Sequence, residues 1–343
     1  MRSDILRDKK LNLSGSVAHR ALHVPDMPSS VWTQPDILRS QFNAAASRFF
    51  ECDSVLAVTG IDSGISALAR LFQTWYGPMR VVLAEPCFDQ WDVRFRRASH
   101  IVLDWPVDFI LEGEIPECDV VVLARPVNPT GEVISIQSAK KLAQTLRDQG
   151  GWLILDEAYV DCLDIESYCS FIEEVPAIVL RSMAPFSGLA GANIAFVCGT
   201  RKVCQALLEE VGTQAVSAPQ WWLALKYFES EAWRQSQSDS LEQATTRLKQ
   251  LWSTYLPSDA ALNVGGYFVA ITHDECSKWA AGLEAAGVLV RLYETEDQQI
   301  VRCGLPLDET AWQKLSRALQ QTLGKPSPQA PANQAAGSLT SRP

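Results

Sequence analysis

VLRSMAPFSGLAGANIAFVCG, residues 179–199, decides how this chain is read. An apolar run ends in Arg181 and Ser182, a Gly/Ala-rich turn follows at Gly188 to Gly191, and a second apolar run over 194–197 leads out. Short continuous apolar runs bounded by glycine suit strands covered on both faces. The pattern is therefore strand, tight turn, strand, with polar side chains delivered to a strand end.

Working outward, the same kind of strand recurs at 55–58, 80–84, 101–103, 119–124 and 152–155. Helical spacing separates these runs: Ile37, Leu38, Phe42, Ala45 and Phe49 before the first, Ile65, Leu68, Leu71 and Phe72 after it, and 136–149 before Gly150-Gly151. Apolar strands alternating with helices predict an α/β fold with a mainly parallel sheet covered on both faces. In such sheets ligands collect at the carboxyl ends of the strands, where Asn128, Asp156 and Ser182 stand. Residues 201–255 read as helical, with Trp221, Trp222, Leu225 and Phe228 on one face. Strands near 262–264, 267–271, 288–292 and 300–303, with a helix between 274 and 286, predict a smaller α+β lobe at the C-terminus. Residues 1–32 read as an irregular arm, and 325–343 carry the Pro/Ala/Ser/Gln bias of a disordered tail.

At 343 residues and 47% hydrophobic content the chain has material for two lobes. A net charge of -10 opposes a nucleic-acid or anionic-membrane partner. Nine cysteines include no CxxC pair, so reduced buried thiols are expected and a metal site is not. The charged start, MRSDILRDKK, has no apolar segment of signal or membrane-spanning length, so the expected location is cytoplasmic.

Three motifs carry chemistry in order: NPTG at 128–131, DEAY at 156–159 and the LRS…GLAG turn at 180–191. Each alone is an ordinary turn or cap. Their order, spacing and strand context resemble the aminotransferase class I/II family of fold type I pyridoxal-phosphate enzymes. The resemblance spans most of residues 10–322 and is closest to the branch holding threonine-phosphate decarboxylase and histidinol-phosphate aminotransferase, through LNLSG (11–15), GGWLILDEAYVD (150–161), VSAPQWW (216–222), GVLVRLY (287–293) and VRCGLP (301–306).

The resemblance implies a three-layer large domain over 33–225, a small C-terminal domain over 226–324, a homodimer and an amino-acid-like ligand. It assigns Asp156 to the cofactor's ring nitrogen, where a buried carboxylate keeps the pyridine protonated. Asn128 and Tyr159 match the donors to the ring's phenolic oxygen, and Phe88 the aromatic stacked on the ring. Ser182, Asp62, Ser63 and Asn193 match positions around the cofactor and its phosphate. Arg302, with Arg291, matches the clamp for a substrate carboxylate, where a planar fork fixes orientation.

The departures fall on the groups that hold the cofactor. Pro185 stands at the Schiff-base lysine and offers no amine. Asn193 replaces the phosphate-binding arginine, Ala184 stands where many relatives have a serine, and Gly60-Ile61-Asp62-Ser63 puts an apolar residue and a carboxylate in the first phosphate turn. Ala18-His19 stand at the substrate loop's Asn-Pro, and neither Lys140, Lys141 nor Lys202 belongs to the turn. Of the four histidines, His19 or His23 in the arm is the candidate base, though surface positions suit both better. The expectation is a repurposed or non-catalytic member of the fold with no covalently bound pyridoxal phosphate. The alternatives are an enzyme using that cofactor non-covalently and an inactive dimer partner of a paralogue.

Overall fold

A computed structural model describes residues 10–15, 20–294 and 298–324. The expectations for Ala18, His19 and the tail fall outside the described residues. The chain opens with β1 (Leu11–Asn12), α1 (Ser30–Thr33) and α2 (Pro35–Phe50). Then follow β2 (Val55–Val58), α3 (Gly60–Tyr76), β3 (Arg80–Glu85), α4 (Gln90–Arg97), β4 (Ile101–Pro106), α5 (Val107–Glu112), β5 (Val120–Ala124), α6 (Ile136–Asp148), β6 (Trp152–Glu157), β7 (Ile178–Ser182), α7 (Ala184–Ser187) and β8 (Ala195–Cys198). Helices α8 (Arg201–Val211), α9 (Ala218–Glu229) and α10 (Glu231–Ser253) lead to β9 (Ala261–Val264), β10 (Phe268–Thr272), α11 (Cys276–Ala285), β11 (Val288–Leu289), β12 (Arg291–Glu294), β13 (Gln299–Gly304) and α12 (Glu309–Leu323).

The large sheet has the order β2-β8-β7-β6-β5-β3-β4. Every pairing in it is parallel except the two made by β8. Alternate residues of each strand feed opposite cores. Val82, Val121, Leu153, Leu155 and Val179 face one side, with residues of α2, α6, α9 and α10. Val81, Val122, Ile154, Ile178 and Leu180 face the other, with α3, α4 and α8. A sheet buried on both faces needs apolar side chains at every position, which is why its strands read as unbroken apolar runs. The α/β class with a mainly parallel sheet is as expected.

The second sheet, β12-β13-β10-β9, is antiparallel throughout. Its residues Val269, Ile271, Val301 and Cys303 join the core that also packs α11 and α12. The expected boundary between residues 225 and 226 falls inside α9, which runs unbroken across it.

The structure corrects the reading of two segments. The arm is not wholly irregular: β1 pairs in parallel with β11, and Gly304 N–H donates to Leu13 O at 2.8 Å, stitching residues 11–13 to the small lobe. The connection from β7 to β8 is not one tight turn but carries α7 and a 3-10 turn over Ala190–Ala192. Ser182 and Ala195 are nonetheless paired across β7 and β8, so the whole insertion loops out from a closed strand end. No helix among the described residues is long and apolar enough to cross a membrane.

Candidate functional site

Asp156 and Ser182 end adjacent parallel strands, and Phe88 and Asn128 follow β3 and β5 at the same edge. Such an edge collects side chains because the strands stop and the chain turns into helices there. Asp156 is buried, and its carboxylate accepts from Trp91 Nε1 at 3.0 Å and from Ala158 N–H at 3.1 Å. Burial pushes its pKa up from the ordinary carboxylate range, and the two hydrogen bonds oppose that shift. Phe88 is 43% exposed, so it is not a core aromatic, and its ring stands open at the end of β3. Tyr159 packs its ring 5.5 Å from Tyr267 of the small lobe.

Arg302, on β13, is buried and reaches back to the large lobe. Its Nη1 donates to Asn128 Oδ1 at 2.7 Å and its Nη2 to Ser14 O at 3.1 Å. The guanidinium lies 5.4 Å from the ring of Phe268 and 5.5 Å from that of Tyr293. Arg291 is its direct partner across β12 and β13, which puts both side chains on one face of the small sheet. Arg291 is exposed and lies 5.6 Å from the ring of Tyr293. The structure thus joins Asn128, Arg302 and Arg291 into one cationic corner between the lobes.

The other half of the expected set sits at the start of α3. Asp62 takes Arg94 in a two-pronged pair at 2.7 and 2.6 Å, so its charge is answered from α4 rather than left facing the turn. Asn193 adopts a left-handed backbone (φ 44°), and a Cβ on Gly60 would collide with its Oδ1. The Asn193 amide therefore lies against the opening glycine of α3. Ser182 Oγ accepts from Ala184 N–H at 3.3 Å, which folds the hydroxyl back on its own turn. Pro185 is buried in the first turn of α7. Lys140 pairs with Glu174 at 2.6 Å, and Lys202 lies 5.2 Å from the Trp75 ring. His23 is exposed.

Sequence reasoning missed what braces this edge. Arg125 and Glu157 form an ion pair at 2.8 Å with both side chains almost fully buried. Arg125 Nε also donates to Ile134 O, and Glu157 accepts from Tyr168 N–H and Ser167 Oγ. Arg181, buried on β7, donates to Ser167 Oγ at 2.7 Å and to Asp161. Burial works against the charge of Arg181, but Asp161 and Glu157 outweigh it and hold its pKa up. Trp91 was missed as well; its Nε1 donor is legible only as an aromatic three residues past Phe88. No group of three or more His, Cys, Asp and Glu that could hold a metal ion occurs among the described residues.

The fit to pyridoxal phosphate is therefore divided. Asp156, Asn128, Tyr159 and Phe88 are of the acceptor, donor and aromatic types that the cofactor's ring needs, with Asp156 buried near the end of β6 and Phe88 and Asn128 just past β3 and β5. The turn matched to the phosphate has an asparagine amide pressed on Gly60, and α7 carries no amine. That half does not fit the group.

A family model, aminotransferase class I and II, matches residues 29–256. Threonine-phosphate decarboxylase of Pseudomonas aeruginosa is 30% identical over 318 residues, covering 93% of each chain. Histidinol-phosphate aminotransferase 1 of Legionella pneumophila is 23% identical over 255 residues, 68% of this chain and 70% of that one. Among solved structures, histidinol-phosphate aminotransferase from Sinorhizobium meliloti, in complex with pyridoxal-5'-phosphate, superposes with a TM-score of 0.73 at 17% identity, covering 92% of each chain. L-threonine-O-3-phosphate decarboxylase from Porphyromonas gingivalis gives 0.69 at 16% identity, covering 92% of this chain and all of its own. These two structures speak to the fold.

Proposed function

Since the chain belongs to the aminotransferase class I and II family, we propose that it binds a small, anionic, amino-acid-like molecule at the strand-end site and forms no covalent link to a cofactor. The observation that carries this reading is the corner of Arg302 and Arg291, one guanidinium buried and fixed on Asn128 and Ser14, the other beside it on the same face. A prepositioned fork is what a carboxylate requires, and a second cation suits a ligand with a second anionic group. Pro185 in the α7 turn and Asn193 against Gly60 support the absence of a covalent cofactor.

Calorimetric titration with L-threonine O-3-phosphate, a doubly anionic amino acid drawn from the relatives' chemistry, tests the ligand class. Saturable binding is expected, weakened at least about tenfold in Arg302→Gln, since a hydrogen bond to a charged group contributes about 1.5–3 kcal/mol. Binding that is absent, or indifferent to that change, sinks the reading.

A second reading, non-covalent use of pyridoxal phosphate, is favoured by the intact ring-facing set around Asp156. Titration with the cofactor, followed by borohydride reduction and peptide mapping, separates the two. A spectral change without a labelled lysine supports the second reading; a labelled lysine overturns both. We further propose that two copies associate, as is usual in this family, and expect light scattering to report twice the 37.9 kDa chain mass.

A further inference from the structure

A cavity lined by Arg181 and by Phe186 of α7 lies apart from the candidate-site residues, none of which lines it. It is an open hollow of about 290 Å³ between the first two turns of α10, the segment following Tyr159, and the ends of α2 and α9. That is at the small end of ligand sites, with room for a compact amino acid.

Its floor is built and charged. Arg181 lines it, with Nη1 on Ser167 and Nη2 on Asp161, and Asp161 Oδ2 accepts from Tyr227 OH at 3.1 Å. The side chain of Arg181 is only 5% exposed, yet its Nε–H has no hydrogen-bond partner among the described residues. A buried donor left unpaired costs about 1–3 kcal/mol. That donor is sealed from the cavity as well as from water, so it is Nη1 and Nη2, answered by Ser167 and Asp161, that order the floor.

The rim carries the second observation. Glu231, Arg234, Gln235 and Ser238 line the cavity from one face of α10, at helical spacing. Glu231 and Arg234 stand three apart, the spacing at which opposite charges ordinarily pair. They do not pair here. Arg234 instead turns its Nη1 onto the carbonyls of Tyr227 and Phe228, each at 2.7 Å, and lays its guanidinium 4.9 Å from the ring of Phe49. Among the described residues neither Arg234 nor Glu231 has an ion-pair partner, so one fixed positive and one negative group face the same small space. The floor is balanced within itself, Arg181 against Asp161, and adds no net demand.

We propose that this cavity is a second binding site for a compact zwitterion of α-amino-acid size. The ligand's carboxylate meets Arg234 and its ammonium meets Glu231. An anion without an ammonium leaves Glu231 facing it, and a plain cation leaves Arg234 unanswered. The zwitterion satisfies both.

The test uses the full chain carrying Arg302→Gln, so that binding at the strand-end site is weakened, and titrates glycine, L-serine and L-threonine singly by calorimetry and saturation-transfer NMR. Saturable binding of at least one is expected, weakened tenfold or more by Arg234→Gln. Because Arg234 also holds the end of α9, that variant can lose its fold, so the exposed Glu231→Gln and the space-filling Ser238→Trp are measured alongside. Both are expected to weaken binding while the unfolding midpoint stays put. Failure of all three probes to bind the Arg302→Gln protein overturns the proposal, as does binding that survives both Glu231→Gln and Ser238→Trp. Acetate and methylamine serve as controls: if either binds as tightly as the amino acids, the zwitterion assignment falls.

Discussion

Pro185 puts no amine in the α7 turn, and the Asn193 amide fills the space beside Gly60. Replacing Pro185 alone therefore repairs half a site. We expect Pro185→Lys, incubated with pyridoxal phosphate and reduced with borohydride, to yield little labelled lysine at 185, and the double change Pro185→Lys with Asn193→Arg to yield more. Full labelling of the single variant would show that the phosphate turn is already competent. Asp156 offers a second probe. Burial raises its pKa in the folded chain, so its contribution to stability is greatest below the unfolded value near ~3.9 and is lost as pH rises through the raised value. Asp156→Asn should flatten the dependence of unfolding free energy on pH from about 4 upward, read by urea titration at several pH values. An unchanged slope would mean that the carboxyl is not held off its ordinary value. Asn128 and Asp156 were legible as polar residues at the ends of apolar strands, and the family resemblance pointed to Arg302 within β13. Residue types and spacing could not announce that Trp91 would hold Asp156, or that Arg94 would take Asp62, since each contact depends on how α4 sits against its neighbours.

At the scale of elements, strands were the more legible because the inner strands of the sheet are buried on both faces and run apolar up to their polar ends. Helix faces were less so. The stripe read on α2 included Ile37, which is 53% exposed, while the buried positions are Phe42, Ala46 and Phe50. The loop after β5 shows what spacing alone could not. Gly131 has φ +78°, and a Cβ there would stand 2.9 Å from the carbonyl of Val264 on β9. The glycine of NPTG is thus set by close approach of the small lobe, not by the turn alone. We expect Gly131→Ala to destabilise by about 1–3 kcal/mol, through the unfavourable dihedral and the contact with backbone. Because the loop carries Asn128, the same change should weaken binding at Arg302 more than it lowers the unfolding midpoint would explain. Equal losses at both would confine Gly131 to a structural part.

Across the whole molecule, the lobes meet through side chains whose roles are shared. Arg302 belongs to the small sheet but rests on Asn128 and on Ser14 in the arm, and β1 in turn pairs with β11. This convergence was invisible in sequence, where the three segments lie hundreds of positions apart. Under the large sheet's edge, Arg125, Glu157 and Arg181 tie β5, β6 and β7 together. Removing one charge of a buried pair leaves the other uncompensated, at about 3–5 kcal/mol. Glu157→Met should lower the unfolding free energy by that order in urea, and adding Arg125→Met should recover part of the loss. A neutral Glu157→Met would show that water relaxes the site.

That ionic brace carries a wider consequence. It fixes the distances between three strand ends with the chain's own charges, so the mouth of the pocket keeps its form whatever the ligand-facing positions become. Folding and chemistry are decoupled at this edge. A lineage with such a brace can exchange a reactive side chain for an inert one without forfeiting the scaffold, and selection is then free to test what else the preserved hollow will hold.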